Sequence, residues 1–333
     1  MKKNIAFVTG GYSGEAVISY KSAITIENNL DTEKYNIYKI DITPQGWWYI
    51  WPDGRKTAVD RTDFSINLGE HIRFDAVFIG IHGTPGEDGK LQGYFDLLNI
   101  PYTSCDAATS ALTFNKRYTV AVASFAGINV AKSLHLFRHS PIRAEDIAAQ
   151  LKLPVFVKPN NGGSSIGMSK VTRPEELGAA LEKAFREDDQ VLVEEFITGR
   201  EFTIGVFRSR GEIITLPFTE VKTHKEFFDF EAKYTPGMSE ETTPAQVDES
   251  IAEKVRDTAR KVYAVFNCRG IVRMDFIYNE EKGAPYLLEI NTVPGQSEAS
   301  IVPQQVRANG WDLKDFYSRL IDACFEQAGP QKQ

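Results

Sequence analysis

The chain has 333 residues, 42% hydrophobic and 25% charged, which is enough for a large core and two or three domains. Its net charge of −7 argues against nucleic-acid binding, which needs a concentrated patch of positive charge. No apolar run approaches the roughly 18 residues of a membrane span, and the N-terminal run is too short for a signal peptide. Cys105, Cys268 and Cys324 match no metal-binding pattern. We therefore predict a cytoplasmic globular protein without nucleic-acid or membrane partners.

The first hundred residues alternate strand and helix patterns. Apolar runs at residues 4–10, 35–42 and 74–83 are typical of strands, and a helical pattern covers about residues 15–30. A second helix is predicted after "GEDGKLQ". This alternation indicates a parallel α/β layer whose functional loops follow the carboxyl ends of its strands.

The pattern changes from about Ser104. One helix is predicted over "TSALTFNKRYTVAVASFAGI", followed by two short strands and an amphipathic helix that Pro174 introduces. Three runs, "QVLVEEFI", "EFTIGVFRS" and "EIITLPFTEV", predict an antiparallel meander. Further helices are predicted over residues 248–266 and about 313–327, with a β-hairpin between them.

Residues 222–244 have no sustained strand or helix period. Loops longer than about 12–15 residues are uncommon inside compact domains and usually act as lids or binding loops, or are disordered. The aromatic residues Phe227, Phe228, Phe230 and Tyr234 argue against simple disorder. A functional loop is the favoured interpretation.

The stretch "GIVRMDFIYNEEKGAPYLLEINTVPG" predicts a hairpin whose turn is centred near Lys282. Asp275 is then opposite Glu289 and Arg273 opposite Asn291, so a two-residue period puts all four on one face. Opposed carboxylates repel and need a shared proton or a cation, and the added amide oxygen favours Mg²⁺. A solvated face with an Arg–Asp ion pair is the alternative. The predicted apolar face consists of Val272, Met274, Phe276, Leu288 and Ile290.

The segment "VKPNNGGSSIGMSK" offers backbone N–H groups to an anion, with Lys158 at the end of a strand. It is not a standard P-loop, because Met168 stands at the lysine position. Residues 163–167 also match the G-x-S-x-G nucleophile elbow of serine hydrolases. That elbow needs a following helix and a later histidine, whereas a strand follows here and only His224 comes later. A phosphate-binding turn and an ordinary hairpin both remain open, and the elbow is disfavoured.

Several segments, in order along the chain, resemble the D-alanine–D-alanine ligases of the ATP-grasp superfamily. They are "GGYSGEAVIS", "IHGTPGEDGKLQGYFDLLNIPYTS", "KPNNGGSSIGMSKV", "VLVEEFITGREFTIGV", "EAKY", "GIVRMDF" and "LLEINTVPGQSEASIVP". The resemblance implies an α/β, three-domain ATP-grasp fold: an N-terminal domain (1–104), a central domain (105–193) and a C-terminal domain (194–333) with a lid loop at 222–244. It also implies that ATP phosphorylates one D-alanine, whose acyl phosphate a second D-alanine attacks, giving the peptidoglycan dipeptide.

The same resemblance assigns roles to individual residues. The implied catalytic residues are Glu15, Ser164, Tyr234, Arg273 and Gly295. Glu15 pairs with the first substrate's ammonium, and Ser164 forms a hydrogen bond with Tyr234. Arg273 and Gly295 are donors to the oxyanion. The implied substrate-binding residues are His82, Ser300 and Ile301. The implied ATP contacts are Lys116, Lys158, Glu194, Glu195, Ile197, Glu201 and Lys233. The implied ligands of two Mg²⁺ ions, or of Mn²⁺, are Asp275, Glu289 and Asn291.

Simpler roles exist for some of these side chains. Glu15 would complement a helix dipole, His82 would be structural, Ser300 would cap a helix and Arg273 would form only an ion pair. The chain departs from the family at Asn115, Val120 and Gln296, and in the lid at Phe228 and Phe230, which puts ATP affinity and lid energetics in doubt.

Two other activities compete with D-alanine ligation. One is a related ATP-grasp carboxylate–amine ligase, including a D-alanine–D-lactate ligase, and the other is an ATP-binding regulatory protein. Tyr234 favours an amine nucleophile, because lactate-using relatives usually carry histidine nearby. A homodimer is the family expectation.

Overall fold

The computed structural model describes residues 2–139, 143–163, 166–223 and 239–327. Ser164, Lys233 and Tyr234 lie outside these ranges, as does most of the predicted lid loop. Within the described ranges, no helix combines the length and the apolar character that crossing a membrane requires.

The N-terminal part contains a five-stranded sheet in the order β4-β3-β2-β1-β7 and a small β5-β6 hairpin. Its strands are β1 (Lys3–Gly10), β2 (Tyr35–Thr43), β3 (Gly46–Ile50), β4 (Lys56–Ala58), β5 (Ile66–Asn67), β6 (His71–Ile72) and β7 (Ala76–Ile79), and its helices are α1 (Ala16–Asn29) and α2 (Lys90–Leu98). Strand β1 pairs in parallel with β2 and β7, which confirms the predicted parallel layer. Antiparallel β3 and β4 extend it at one edge.

The central part contains an antiparallel sheet in the order β10-β9-β11-β8. Its strands are β8 (Ser133–Phe137), β9 (Val155–Pro159), β10 (Ser169–Val171) and β11 (Gln190–Glu195), and its helices are α3 (Ala107–Phe114), α4 (Lys116–Phe125), α5 (Ala144–Gln150) and α6 (Leu177–Glu187), the last preceded by a 3-10 turn (Pro174–Glu176). Leucine, isoleucine, valine and alanine side chains of α5, α6 and the sheet form its core.

The single helix predicted after Ser104 is wrong. Two helices, α3 and α4, meet at Asn115, whose φ of −95° and ψ of 104° are not helical. The Asn115 side chain accepts a hydrogen bond from the Tyr118 N–H and so caps α4. One of the departures from the family pattern is therefore a helix cap in this chain.

The C-terminal part contains a six-stranded sheet in which β15, β14, β12, β16 and β17 lie in that order and β13 pairs with β12. Its strands are β12 (Arg200–Ser209), β13 (Glu212–Thr215), β14 (Thr219–Thr223), β15 (Ser239–Thr242), β16 (Val272–Asn279) and β17 (Ala284–Asn291), and its helices are α7 (Glu249–Val265), α8 (Ile301–Ala308) and α9 (Leu313–Gln327). Strand β15 belongs to the predicted lid loop, so part of that segment is a strand.

The predicted three-stranded meander is also wrong. Its first strand, β11, pairs with β8 and β9 in the central sheet instead of with β12. Its third run is two strands, β13 and β14, which both pair with β12. Hydrophobic alternation identifies strands but does not specify which sheet a strand joins, because that depends on packing between distant segments.

One face of the C-terminal sheet packs on α7. Phe202, Met274 and Phe276 of the sheet are fully buried against Val255 and Val262 of this helix. Because strand side chains alternate between faces, the polar residues between these apolar ones point to the opposite side. The fold therefore leaves one face of β16 and β17 available for a site.

Candidate active site

The predicted pairing of the four polar hairpin residues is confirmed. Asp275 of β16 faces Glu289 of β17, and Arg273 faces Asn291. The ladder then shifts by one residue, so that Phe276 faces Leu287. This bulge reverses the alternation of β17, and Leu287 is the buried residue, so the prediction that Leu288 lies on the apolar face is wrong.

Arg273 ties the polar face together. Its guanidinium donates from Nε to Asp275 Oδ1 (3.0 Å) and from Nη2 to Asp275 Oδ2 (2.8 Å), and Nη2 lies 3.6 Å from Glu289 Oε1. Asn291 Nδ2 donates to Asp275 Oδ2 at 3.4 Å, and the Thr203 hydroxyl donates to Oδ1. All four predicted residues of this face are therefore brought together.

Burial and charge compete at this face. Burial raises the pKa of Asp275, Arg273 opposes that effect, and the neighbouring Glu289 raises it further. Burial alone would lower the pKa of Arg273, but the Asp275 and Glu289 carboxylates raise it above its ordinary range. Because two carboxyl groups share this one guanidinium, the formal charge of the three side chains is negative.

That charge and the oxygen donors fit a divalent cation. Carboxylate and amide oxygens are the ligands that Mg²⁺ prefers, and one or two carboxylates per ion are usual when nucleotide phosphates complete the shell. In the described part of the chain, no three or more His, Cys, Asp or Glu side chains gather as a metal-binding group. A cation here would rely on Asp275, Glu289, Asn291 and its substrate.

Glu15 connects three loops. Its carboxylate lies against the backbone of Gly83, which follows β7, and of Gly163, in the glycine-rich segment. The side chain makes no capping hydrogen bond to α1, although Glu15 is the residue before that helix. The helix-dipole alternative therefore does not explain where the carboxylate points.

Glu87 is a second half-buried acidic residue in the same place. Its Oε2 accepts from the Gly83 N–H (2.7 Å) and its Oε1 from the Val293 N–H (3.2 Å). Burial raises its pKa to about 8, and the charge of Glu15 contributes, while Arg273 and the two N–H bonds oppose the shift. No role for Glu87 was predicted from the sequence, where its only signal is a charged residue in a glycine-rich loop after a buried strand.

His82 is fully engaged by the protein. Its Nδ1 lies 2.7 Å from the Val293 carbonyl oxygen and its Nε2 lies 2.9 Å from Ser22 Oγ. Burial lowers its pKa to about 4, so the ring is neutral at physiological pH. Ser22 also accepts from the Gln296 N–H at 3.0 Å. Ser22 was not predicted as a site residue, because the sequence alone shows only a serine within a helical pattern.

Gly295 and Ser300 lie close together between β17 and α8. A Cβ at position 295 would be only 2.8 Å from Ser300 Oγ, so a larger residue would displace the serine. Ser300 precedes α8 and Ile301 begins it, but the Ser300 hydroxyl accepts from the Ser297 N–H (3.0 Å) and does not cap the helix. The Ser300 side chain therefore does not occupy the α8 amino terminus, a position that favours anions.

The predicted ATP contacts that the structure describes lie on the central sheet, at the start of α4 and along the chain from β11 into β12. Lys158 of β9 pairs with the buried Glu194 carboxylate of β11, and Lys116 Nζ donates to the Gly162 carbonyl at 2.6 Å. Glu195 ends β11, and its side chain accepts from the Lys152 N–H at 2.8 Å. Ile197 and Glu201 lie beyond it, Ile197 in the connection to β12 and Glu201 within that strand.

The nucleophile-elbow interpretation of residues 163–167 fails on topology. The glycine-rich segment leads into β10, which pairs antiparallel with β9, whereas the elbow requires a strand followed by a helix. Ser164 itself lies outside the described residues.

Both halves of the chain match models of one protein family. Residues 4–105 match the D-ala D-ala ligase N-terminus and residues 117–322 match its C-terminus. A curated D-alanine–D-alanine ligase of Parabacteroides distasonis is 45% identical over 97% of this chain and 97% of its own length. One from Flavobacterium johnsoniae is 44% identical over 96% and 98%.

Solved structures agree in fold. A D-Ala:D-Ser ligase from Enterococcus faecalis superposes with a TM-score of 0.87 at 32% identity, covering 97% of this chain and 100% of that one. A Bacillus anthracis D-alanine–D-alanine ligase complexed with ATP gives 0.78 at 25% identity, covering 98% of each. These neighbours confirm the predicted ATP-grasp fold. The chain therefore belongs to the D-alanine–D-alanine ligase family.

Proposed function

We propose that the protein joins two D-alanine molecules, with ATP consumed, to give D-alanyl-D-alanine for peptidoglycan. A carboxylate is a poor electrophile, so its oxygen first attacks the γ-phosphorus of ATP and ADP leaves. The amine of the second D-alanine then attacks the acyl phosphate carbon, phosphate leaves with the bridging oxygen, and the nitrogen loses a proton.

One observation carries this proposal: the in-register hairpin face on which Arg273 adjoins Asp275, Glu289 and Asn291. Attack on the acyl phosphate puts negative charge on the former carbonyl oxygen. Arg273 and the Gly295 N–H are the donors we assign to that oxyanion, a kind of contact whose loss typically costs about 2.7–4 kcal/mol.

Mg²⁺ is the cation we assign to this face. When bound, it screens the phosphates and stabilises the charge that develops on the transferred phosphoryl group. Asp275, Glu289 and Asn291 would hold it, because they supply the oxygen donors and the negative charge. The family resemblance suggests two ions, and Mn²⁺ has compatible ligand chemistry.

The remaining roles follow from position and charge. Glu15 receives the ammonium of the first D-alanine, beside the backbone of Gly83 and Gly163. The amino terminus of α8, at Ser300 and Ile301, receives the second substrate's carboxylate, since helix amino termini favour anions. Lys116 and Lys158 contact phosphates, the chain from Glu194 to Ile197 contacts adenine, and Glu201 contacts ribose.

His82 supports the first-substrate site without contacting the substrate through a free nitrogen. Both ring nitrogens already have protein partners, so we assign it to positioning. The roles of Ser164, Lys233 and Tyr234, and the division into domains at residues 104 and 193, stay predictions. So do the cytoplasmic location and the homodimer.

A single assay tests the proposed function. Purified protein is given ATP and Mg²⁺ with D-alanine, L-alanine, or D-alanine plus D-lactate, while phosphate release and product mass are followed. We expect D-alanine-dependent phosphate release and a dipeptide product. Depsipeptide formation at a rate comparable to that of dipeptide would favour the lactate alternative, and phosphate release indifferent to D-alanine would contradict ligation.

A further inference from the structure

The main chain from Val293 to Gln296 contains the proposed oxyanion donor, Gly295, but no regular secondary structure holds it. The Val293 side chain packs into the N-terminal apolar core, and specific hydrogen bonds add to that contact. The Val293 carbonyl bonds His82 Nδ1, and the Gln296 N–H bonds Ser22 Oγ. Ser22 and His82 also bond each other. Two anchor points thus flank Gly295, and one side chain pair serves both.

The direction of every hydrogen bond in this set is fixed. A carbonyl oxygen only accepts, so His82 Nδ1 carries the proton and Nε2 of the neutral ring must accept. The Ser22 hydroxyl therefore donates to His82 Nε2, and its lone pair accepts from the Gln296 N–H. These hydrogen bonds form a continuous series from Gln296 through Ser22 and His82 to Val293.

Burial and further hydrogen bonds restrain this series of hydrogen bonds. Ser22 has no exposed surface, and the His82 N–H donates to Ser19 Oγ, which holds the histidine backbone against the same helix, α1. Glu87 adds a third bond by accepting from the Val293 N–H. A buried polar group that loses its partner destabilises the folded state, so the set favours one arrangement.

We propose that Ser22 is a positioning residue for the reaction: together with His82 it fixes the main chain on both sides of Gly295 and so aims that N–H at the oxyanion. Ser22 has no exposed surface and its hydroxyl bonds only protein groups, His82 and Gln296, so it acts through the loop. The inference rests on the assignment of Gly295 as a donor. Misplacing such a donor by about 1 Å can cost roughly 100-fold in rate.

The test compares Ser22→Ala, His82→Ala and the double variant with a matched control, Ser110→Ala. Ser110 is an equally buried helix serine whose hydroxyl bonds the Cys105 carbonyl, away from the site. We expect S22A to lower kcat roughly 10- to 100-fold with the KM for ATP unchanged. The double variant should be no slower than the slower single variant, because both residues belong to one chain of bonds.

Two physical measurements separate positioning from general stability. In ¹⁵N-histidine spectra of the whole protein, His82 should be the Nδ1–H tautomer, and S22A should alter its Nε2 signal. In hydrogen exchange, the Gln296 amide should lose protection in S22A and not in S110A. Should S22A not fold, Ser22→Cys preserves the size with a weaker hydrogen-bonding group and is expected to lower kcat in the same direction.

An S22A enzyme with the kcat of S110A would overturn the inference, as would additive effects of S22A and H82A. Failure of the proposed function gives a different result, because the unmodified protein would then not ligate D-alanine at all.

Discussion

The polar face of the β16–β17 hairpin and the loop after β7 approach the same stretch of chain, but they treat polar groups in opposite ways. On the hairpin, Asp275 and Glu289 share one guanidinium, so acidic groups outnumber the basic one. In the loop, the polar groups of His82 and Glu87 have partners within the protein. The difference separates a face suited to a cation and substrate from a scaffold that holds it.

Changing Arg273 to lysine should give the largest effect. Lysine keeps the charge but lacks the planar fork that bonds both oxygens of Asp275. We expect kcat to fall about 10²- to 10³-fold, the loss typical of one oxyanion donor. Arg319→Lys, at a surface pair with Asp315, is the control and should change nothing. Steady-state kinetics of the two variants decides between an oxyanion donor and a plain ion pair.

Changing Glu289 to glutamine separates a metal ligand from a structural polar residue. It removes charge from the proposed Mg²⁺ site and also a repulsion with Asp275. We expect kcat to fall by at least roughly tenfold, with a higher Mg²⁺ requirement and an undiminished melting temperature. Rate against Mg²⁺ concentration and thermal melts give the answer. Collapsed stability with normal activity would show a structural role instead.

Changing Glu87 to glutamine should have a smaller effect, on the pH dependence of stability. In the unfolded chain this carboxyl titrates near its ordinary 4.5, and in the folded protein at about 8. Between these values the folded state retains a proton that the unfolded state releases, so the Glu87 contribution weakens as pH rises through that window.

Urea unfolding from pH 4.5 to 8 measures this contribution. The unfolding free energy of the unmodified protein should fall relative to that of E87Q over the window, because glutamine does not titrate. Parallel curves for the two proteins would mean that Glu87 is ionised in the folded state, beside Glu15 and Arg273, and would contradict the raised pKa.

The two regions also differ in how far the sequence predicts them. The hairpin follows from a two-residue period, and a turn centred near Lys282 places Asp275 opposite Glu289, as the structure does. The bulge after Asp275 could not be predicted, because hydrophobic alternation gives no sign of an extra residue. The sequence therefore places Leu288 on the wrong face. Local patterns thus predict a face, and the chain's packing decides its detail.

The contacts of the loop after β7 with Ser22 and Gln296 could not be predicted from the sequence. Ser22 is about 60 residues from His82 along the chain and more than 270 from Gln296, and only the packing of α1 against the β17–α8 connection brings them together. The same limit explains the helix broken at Asn115 and the strand β11 that joins the central sheet. Contacts between distant segments carry no local period.

The most direct test of the proposed reaction follows one oxygen atom. D-alanine labelled with ¹⁸O in its carboxylate is incubated with the protein, ATP and Mg²⁺, and the released phosphate is analysed by mass spectrometry. An acyl phosphate requires that one labelled oxygen leave with phosphate for each dipeptide formed. Unlabelled phosphate released alongside dipeptide would contradict the acyl-phosphate route, and with it the roles assigned to Arg273 and Gly295.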